Sequence, residues 1–155
     1  LKESIEKELT EFMQPIVEQC VQKVTDSLEK QGNVVSVKKP VVSVALVPAS
    51  VLVSVELDLS IEKDNEKEFY KTIKTETSSR LYEFAMTASE IANTEAQYGD
   101  SDTSIYMYKN KDMKTEKLKQ GDETKVYILT DRTSGKKFMF AIKSIPIPPG
   151  WIPSA

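Results

Sequence analysis

Residues 51–61 read VLVSVELDLSI and carry the clearest strand pattern in the chain. Apolar side chains occupy every odd position of this stretch, which predicts a half-buried β-strand because successive side chains of a strand point to opposite faces. The apolar run before it, residues 41–47, ends at a Pro-Ala-Ser sequence that predicts a turn. Pro48, three serines and the alternation that continues into charged positions favour strands over a membrane helix.

A long amphipathic helix is predicted before these strands, over residues 1–31. Pro15 removes one backbone donor, so we expect the helix to kink or restart near residues 13–15, and Gly32 is expected to end the helix in a left-handed conformation. At about 46 Å the helix is longer than a small domain is wide, so part of it is expected to protrude. Its predicted apolar stripe consists of Leu1, Ile5, Leu9, Phe12, Ile16, Cys20, Val24 and Leu28.

A second long helix is predicted from a cap at Asp64 or Asn65 to Gly99, with a bend near residues 75–79. Its expected core stripe consists of Phe69, Ile73, Leu81, Phe84, Ala88 and Ile91. Three shorter strands are expected after it, at residues 105–108, 125–130 and 136–144, and the last two are joined by a loop whose Gly135 suits a positive φ. Residues 110–123 are too highly charged to be expected in a core.

These elements predict one α+β domain over residues 1–144, with residues 1–32 as the protruding helix. Both long helices are expected on one face of a mainly antiparallel sheet. The side chains expected in the core are Val51, Val53, Val55, Leu57, Leu59, Leu81, Phe84, Phe138 and Phe140. Residues 145–155 contain four of the seven prolines and the only tryptophan, which predicts an extended Pro-rich tail.

The composition argues against most kinds of site chemistry. The chain has no histidine, the commonest general base and transition-metal ligand, and its single cysteine, Cys20, permits no internal disulfide and is expected to be buried on the helix stripe. Five scattered glycines form no phosphate loop, and 21 basic residues are interspersed with 24 acidic ones without a basic patch. We therefore expect no catalytic residue, no cofactor, no metal and no nucleic-acid partner.

Two pairs of carboxylates are the remaining chemical candidates. Glu56 and Asp58 share one face of the predicted strand, where a solvated outer face accounts for them. Asp100 and Asp102 lack the central glycine and the distal glutamate of a calcium loop, so an Asx turn after the second helix is favoured.

Two features favour binding to another protein. Leu1, Ile5 and Leu9 precede Pro15 and are expected to be exposed in an isolated monomer. Trp151 and Ile152 lie among prolines, and a rigid extended segment with an aromatic anchor loses little entropy on binding. The alternative for the tail is that it wraps its own domain and that the tryptophan fills a surface hollow.

Four stretches together resemble a known group of proteins: FMQPIVEQC at residues 12–20, the helix end at Gln31-Gly32, YILTD at residues 127–131 and FMFAIK at residues 138–143. The chain resembles uncharacterised archaeal surface proteins that begin with one membrane helix behind a type IV pilin-like leader. The resemblance implies an extracytoplasmic, cell-surface domain that begins just after that helix, and it assigns no site residue. Because the first residue is leucine and not methionine, we expect a processed or trimmed chain.

Taken together, the sequence predicts a non-enzymatic extracytoplasmic module with a structural or protein-interaction role, of which a pilin-like or filament subunit is the most specific form. Its expected partners are proteins, including copies of itself, and a membrane anchor is expected upstream. The alternative function is a ligand-binding or accessory domain of a membrane transport or secretion complex.

Overall fold

The computed structural model describes residues 1–64 and 66–143. The chain divides into two compact units, Leu1–Tyr82 and a second that starts at Glu83. Each unit has its own antiparallel sheet and its own core, whereas the sequence predicted a single sheet. The α+β class and the long N-terminal helix are confirmed. The predicted tail, residues 145–155, lies outside the described residues.

The first unit contains one long helix and a four-stranded sheet. Strand β3 is the centre of the sheet because it pairs antiparallel with all three other strands: with β1 and β2 in succession along one edge, and with β4 along the other. The elements are α1 (Lys2–Lys30), β1 (Val34–Val37), β2 (Val41–Val47), β3 (Ser50–Lys63) and β4 (Glu66–Ser78).

Helix α1 runs without interruption through Pro15, so the predicted restart of the helix there does not occur. Pro15 is exposed, so the carbonyl that loses its intrahelical donor can bind water instead. The predicted end of the helix is confirmed: α1 stops at Lys30, and Gly32 has a φ of 86° in the left-handed region.

The side chains of α1 fall into rows spaced four residues apart, each with a different environment. Leu9, Met13 and Val17, which we call the core row, pack against the core of the first unit. Thr25, further along the same row, is buried. The buried core residues that receive this row are Val42, Val44 and Val53 of β2 and β3.

The adjacent row, Glu6, Thr10 and Gln14, accepts hydrogen bonds from the outer edge of β2, and we call it the ladder row. The bonds run from Leu46 N to Glu6 Oε1 at 2.7 Å, from Val44 N to Thr10 Oγ1 at 3.2 Å and from Val42 N to Gln14 Oε1 at 3.0 Å. Four helical residues rise about 6 Å and two strand residues span almost 7 Å, so the two periods nearly match and three bonds form in register.

The predicted strand at residues 51–61 is confirmed within β3, but its odd side chains do not share one face. Val55 lies opposite Ile73 and Leu59 lies opposite Tyr70, so β3 uses four residues where β4 uses three. Residues 70 and 73 of β4 point to opposite faces, and therefore Val55 and Leu59 do as well. The extra residue is a β-bulge between Glu56 and Leu59.

Residues 66–78 form strand β4, so the first half of the predicted second helix is wrong. The unsatisfied edge of β3 offers hydrogen bonds along the whole segment, and its threonines favour a strand over a helix. All thirteen residues of β4 are exposed, including Phe69 and Ile73, which were expected in a helix core.

The second unit contains most of α2 (Leu81–Tyr98), all of α3 (Thr103–Lys109) and a sheet in the order β5-β6-β7. The strands are β5 (Met113–Lys119), β6 (Thr124–Asp131) and β7 (Lys137–Lys143). The predicted hairpin of the last two strands is confirmed, with Gly135 at a φ of 70°, and so is the end of α2 before Gly99.

Two predictions in this unit are wrong. Residues 105–108 belong to helix α3 and not to a strand, because Asp102 caps that helix by accepting a hydrogen bond from Ser104 N at 2.9 Å. The charged stretch at residues 110–123 contains strand β5, in which Met113 and Thr115 are buried.

The core of the second unit forms between α2 and the alternate side chains of β6. Tyr127 and Leu129 are fully buried there, and the Phe84 ring stacks on Phe138 at 6.1 Å between centroids. Of the predicted core residues, Val53, Leu57 and Phe84 are buried, and the others are partly buried: Val51, Val55, Leu59, Leu81, Phe138 and Phe140.

The division of α1 into rows predicts a large effect and a small effect for the same substitution to aspartate at two adjacent positions. Val17→Asp places an unpaired carboxylate against the core and is expected to lower the free energy of unfolding by about 3 kcal/mol. Ile16→Asp places the same residue type on an exposed row and is expected to change the free energy of unfolding by about 0.5 kcal/mol at most. Urea denaturation measures both, and equal effects would contradict the row assignment.

Candidate functional site

A row of exposed apolar side chains runs along α1 beside the core row. Phe12, Ile16, Cys20 and Val24 recur every four residues, and we call them the outer row. Phe12 is 68%, Ile16 51% and Val24 48% exposed, and Cys20 is also exposed. Exposed apolar residues scattered singly are ordinary, but a continuous row on one helix is typical of a contact surface.

The predicted stripe of α1 combined two rows that the structure separates. From Leu9 to Phe12 the spacing changes from four residues to three, and at that step the prediction moved from the core row to the outer row. Cys20, expected to be buried, is therefore exposed. The signal that could have separated the rows is the polar row Glu6, Thr10 and Gln14, which follows the core row at every turn.

The residues predicted to bind partners occupy different environments. Leu1 is 52% exposed and Ile5 is partly buried, but Leu9 packs against the core and was expected to be exposed. Trp151 and Ile152 lie outside the described residues. The prediction of an interaction surface on α1 thus moves from the start of the helix to its outer row.

Strand β4 is another segment of the first unit that exposes apolar side chains. Phe69 is 67% and Ile73 54% exposed on it, but six of its thirteen residues are charged, and Lys67 Nζ lies 5.4 Å from the centre of the Phe69 ring. Charged side chains, lysine above all, discourage pairing at an exposed sheet edge. The outer row of α1, which contains no charge, is therefore the stronger candidate for a contact surface.

The second unit contains a buried polar cluster that links α2 to β6. Lys125 Nζ donates to Glu95 Oε2 at 2.6 Å, and Tyr127 Oη donates to Glu95 Oε1. Asp100 Oδ1 lies 3.1 Å from Lys125 Nζ and 2.8 Å from Lys117 Nζ. The Glu95 side chain is fully buried, and both its oxygens have donors, so the cluster satisfies a carboxylate inside the core.

The electrostatics of this cluster follow from burial and pairing. Burial lowers the pKa of the Lys125 ammonium, but its hydrogen bonds to Glu95 and Asp100 outweigh burial, so the pKa lies above the ordinary value. Burial and the hydrogen bond to Glu95 raise the pKa of Tyr127 far above its usual range. Hydrogen bonds from Lys117 and Lys125 hold the pKa of Asp100 well below its usual range.

This arrangement stabilises the charges of Glu95 and Lys125 inside the core. Both oxygens of Glu95 are occupied by donors of the cluster, so neither is placed to exchange a proton with a bound substrate. Glu95 lies one turn after Ile91 on the buried face of α2. Lys125 comes two residues before Tyr127, on the same buried face of β6. The sequence analysis missed both residues. A carboxylate on a helix core row and a lysine at an inward strand position are the signal that could have identified the pair.

Of the predicted carboxylate pairs, Asp58, Asp100 and Asp102 form contacts within the chain, and Glu56 is exposed. Asp58 forms an exposed ion pair with Lys38 at 2.7 Å beside the bulge of β3. The open hollow there has a volume of about 360 Å³ and is lined by Lys38, Asp58 and Lys71, with Glu56 at its wall. Asp102 forms the predicted Asx turn at the start of α3.

Within residues 1–64 and 66–143, no group of three or more cysteine, aspartate or glutamate side chains is arranged to hold a metal ion. In the same described part, no helix combines the length and the apolar composition needed to cross a membrane. Comparison with family models, curated proteins and solved structures finds no significant match to the chain.

Breaking the buried ion pair of Glu95 and Lys125 is expected to destabilise the second unit strongly. Lys125→Met keeps the apolar stem but leaves the Glu95 carboxylate without its cation, at a cost of about 3 to 5 kcal/mol. Adding Glu95→Gln removes that charge while keeping an acceptor for Tyr127, so the double variant is expected to recover part of the loss. Thermal unfolding distinguishes them, and a double variant less stable than Lys125→Met alone would contradict this role.

Alkaline pH is expected to weaken the same cluster. The folded-state pKa values of Tyr127 and Lys125 are raised, so their stabilisation is complete below the ordinary values of 10.0 and 10.5 and is lost as pH rises above them. Urea unfolding at about pH 9 and about pH 11 measures this loss. Tyr127→Phe removes the tyrosine contribution and should show a smaller loss than the natural chain, and an identical pH dependence would contradict the assignment.

Proposed function

We propose that the chain is a non-enzymatic protein-interaction module whose contact surface is the outer row of α1. The observation that carries the proposal is the alignment of Phe12, Ile16 and Val24, each about half exposed or more, on one row of a single helix. Because these side chains are already partly buried, covering one of them in a complex gains about 0.75 to 1.5 kcal/mol, half of the value for a fully exposed side chain. The row thus offers enough apolar surface to anchor a partner.

The contacts that fix α1 on the sheet favour the binding of a partner to its outer row. The core row packs against the sheet and the ladder row is hydrogen-bonded to β2, so the helix is fixed along two of its sides. A partner that docks on the outer row therefore orders little additional backbone, and less of the interaction energy is lost to entropy. A rigid helix with an apolar row is a common element of helix-mediated recognition.

The non-enzymatic part of the proposal has separate support. The sequence contains no histidine, and the most strongly perturbed titratable groups, around Glu95, hold one another in a closed cluster. Groups perturbed in this way are found in catalytic sites and in structural ion-pair networks alike. The full burial of Glu95 and the donors on both its oxygens support the structural alternative.

The extracytoplasmic location and the pilin-like or filament form of this module stay predictions that rest on the sequence resemblance. A ligand-binding or accessory domain is the second candidate function, and the hollow beside Lys38 and Asp58 is the observation that favours it. That hollow is open and its central charges already pair with each other at 2.7 Å, so it supports ligand binding less well than the outer row supports docking.

Site-specific photo-crosslinking in the cell that makes the protein tests the proposed contact surface. A photoreactive phenylalanine analogue at position 16 is expected to give a discrete covalent adduct with a protein. The matched control places it at Gln22, an exposed position on the continuation of the ladder row, away from the outer row and its flanking charges. An adduct from position 16 alone supports the proposal, whereas no adduct, or equal adducts from both positions, would overturn it.

A further inference from the structure

We infer that the partner of the outer row is the outer row of a second copy of this chain, packed antiparallel to it. This inference rests on the proposed function and names its partner. Rows spaced four residues apart form ridges that pack into the grooves of a neighbouring helix, so the outer row has the geometry that helix pairing requires.

The sizes of the side chains favour an antiparallel arrangement. When the two rows are centred between Ile16 and Cys20, Phe12 of one copy faces Val24 of the other, and Ile16 faces Cys20. Each large side chain then packs against a smaller one, and the two-fold axis repeats each of these pairs. Large residues that face small ones fill an interface without voids. A parallel arrangement would instead place Phe12 against Phe12 and Cys20 against Cys20.

The charges that flank the outer row favour the same arrangement. On the adjoining exposed row, Glu11 lies beside the Phe12 end and Lys23 beside the Val24 end. Antiparallel packing places this row of both copies on the same side of the contact and brings Glu11 of each copy towards Lys23 of the other, whereas parallel packing would put the two rows on opposite sides and form neither contact. Glu11 has a long contact with Lys7 at 3.8 Å, and both side chains are exposed, so the Glu11 carboxylate is accessible to a second copy.

A second copy also explains why the row needs no charge of its own. The two-fold axis makes the surface complementary to itself, so an apolar centre flanked by one acid and one base is sufficient for recognition.

Charge reversal tests the inference on the full chain. Glu11→Lys and Lys23→Glu each replace two attractive contacts with two repulsive ones, and each is expected to weaken dimerisation by about tenfold. The double variant Glu11→Lys with Lys23→Glu restores both contacts and is expected to dimerise within about threefold of the natural chain. Sedimentation equilibrium gives the dissociation constants, and circular dichroism confirms that each variant is folded.

The possible results separate the inference from the proposed function. Loss in each single variant with recovery in the double variant supports antiparallel pairing. A natural chain that stays monomeric at high concentration, or a double variant weaker than either single variant, would overturn it. If the chain is monomeric and position 16 still crosslinks to a different protein, the inference fails and the proposed function stands; if neither association occurs, both fail.

Discussion

The hydrogen-bond ladder between α1 and the outer edge of β2 determines how the first unit uses its longest helix. An exposed sheet edge must be covered or charged to prevent unwanted pairing, and here three polar side chains of one helical row receive the amides of that edge. Gln14 also donates from Nε2 to the Pro40 carbonyl at 2.7 Å, so it binds the edge in both directions. Because the ladder fixes the rotation of α1, the core row must face the sheet and the outer row must face solvent.

Local patterns predicted the elements that depend on local sequence. The alternation of residues 51–61 located β3, the glycine at position 32 located the end of α1, and the loop at Gly135 located the last hairpin. Patterns failed where distant residues decide the structure. Residues 66–78 become a strand because β3 pairs with them, and the bulge that reverses the faces of β3 is visible only in the register with β4.

The candidate surface could be predicted in part. The sequence indicated that α1 carries more apolar surface than one sheet can bury, but periodicity alone could not choose which of two neighbouring apolar rows is covered. That choice depends on the ladder, which requires β2 to lie beside Glu6, Thr10 and Gln14 in space. The Glu95–Lys125 pair depends on the same kind of information, since its members are thirty positions apart and each is unfavourable in a core without the other.

Native-state hydrogen exchange of the β2 amides tests the central role of the ladder most directly. The amides of Val42, Val44 and Leu46 are expected to exchange slowly in the natural chain, although they lie at a strand edge. In Gln14→Leu, exchange at Val42 is expected to accelerate by about fivefold to tenfold, while Leu46, bound by Glu6, changes less. If all three amides exchange in the natural chain as fast as solvent-exposed loop amides, the ladder does not hold α1, and the assignment of its rows is contradicted.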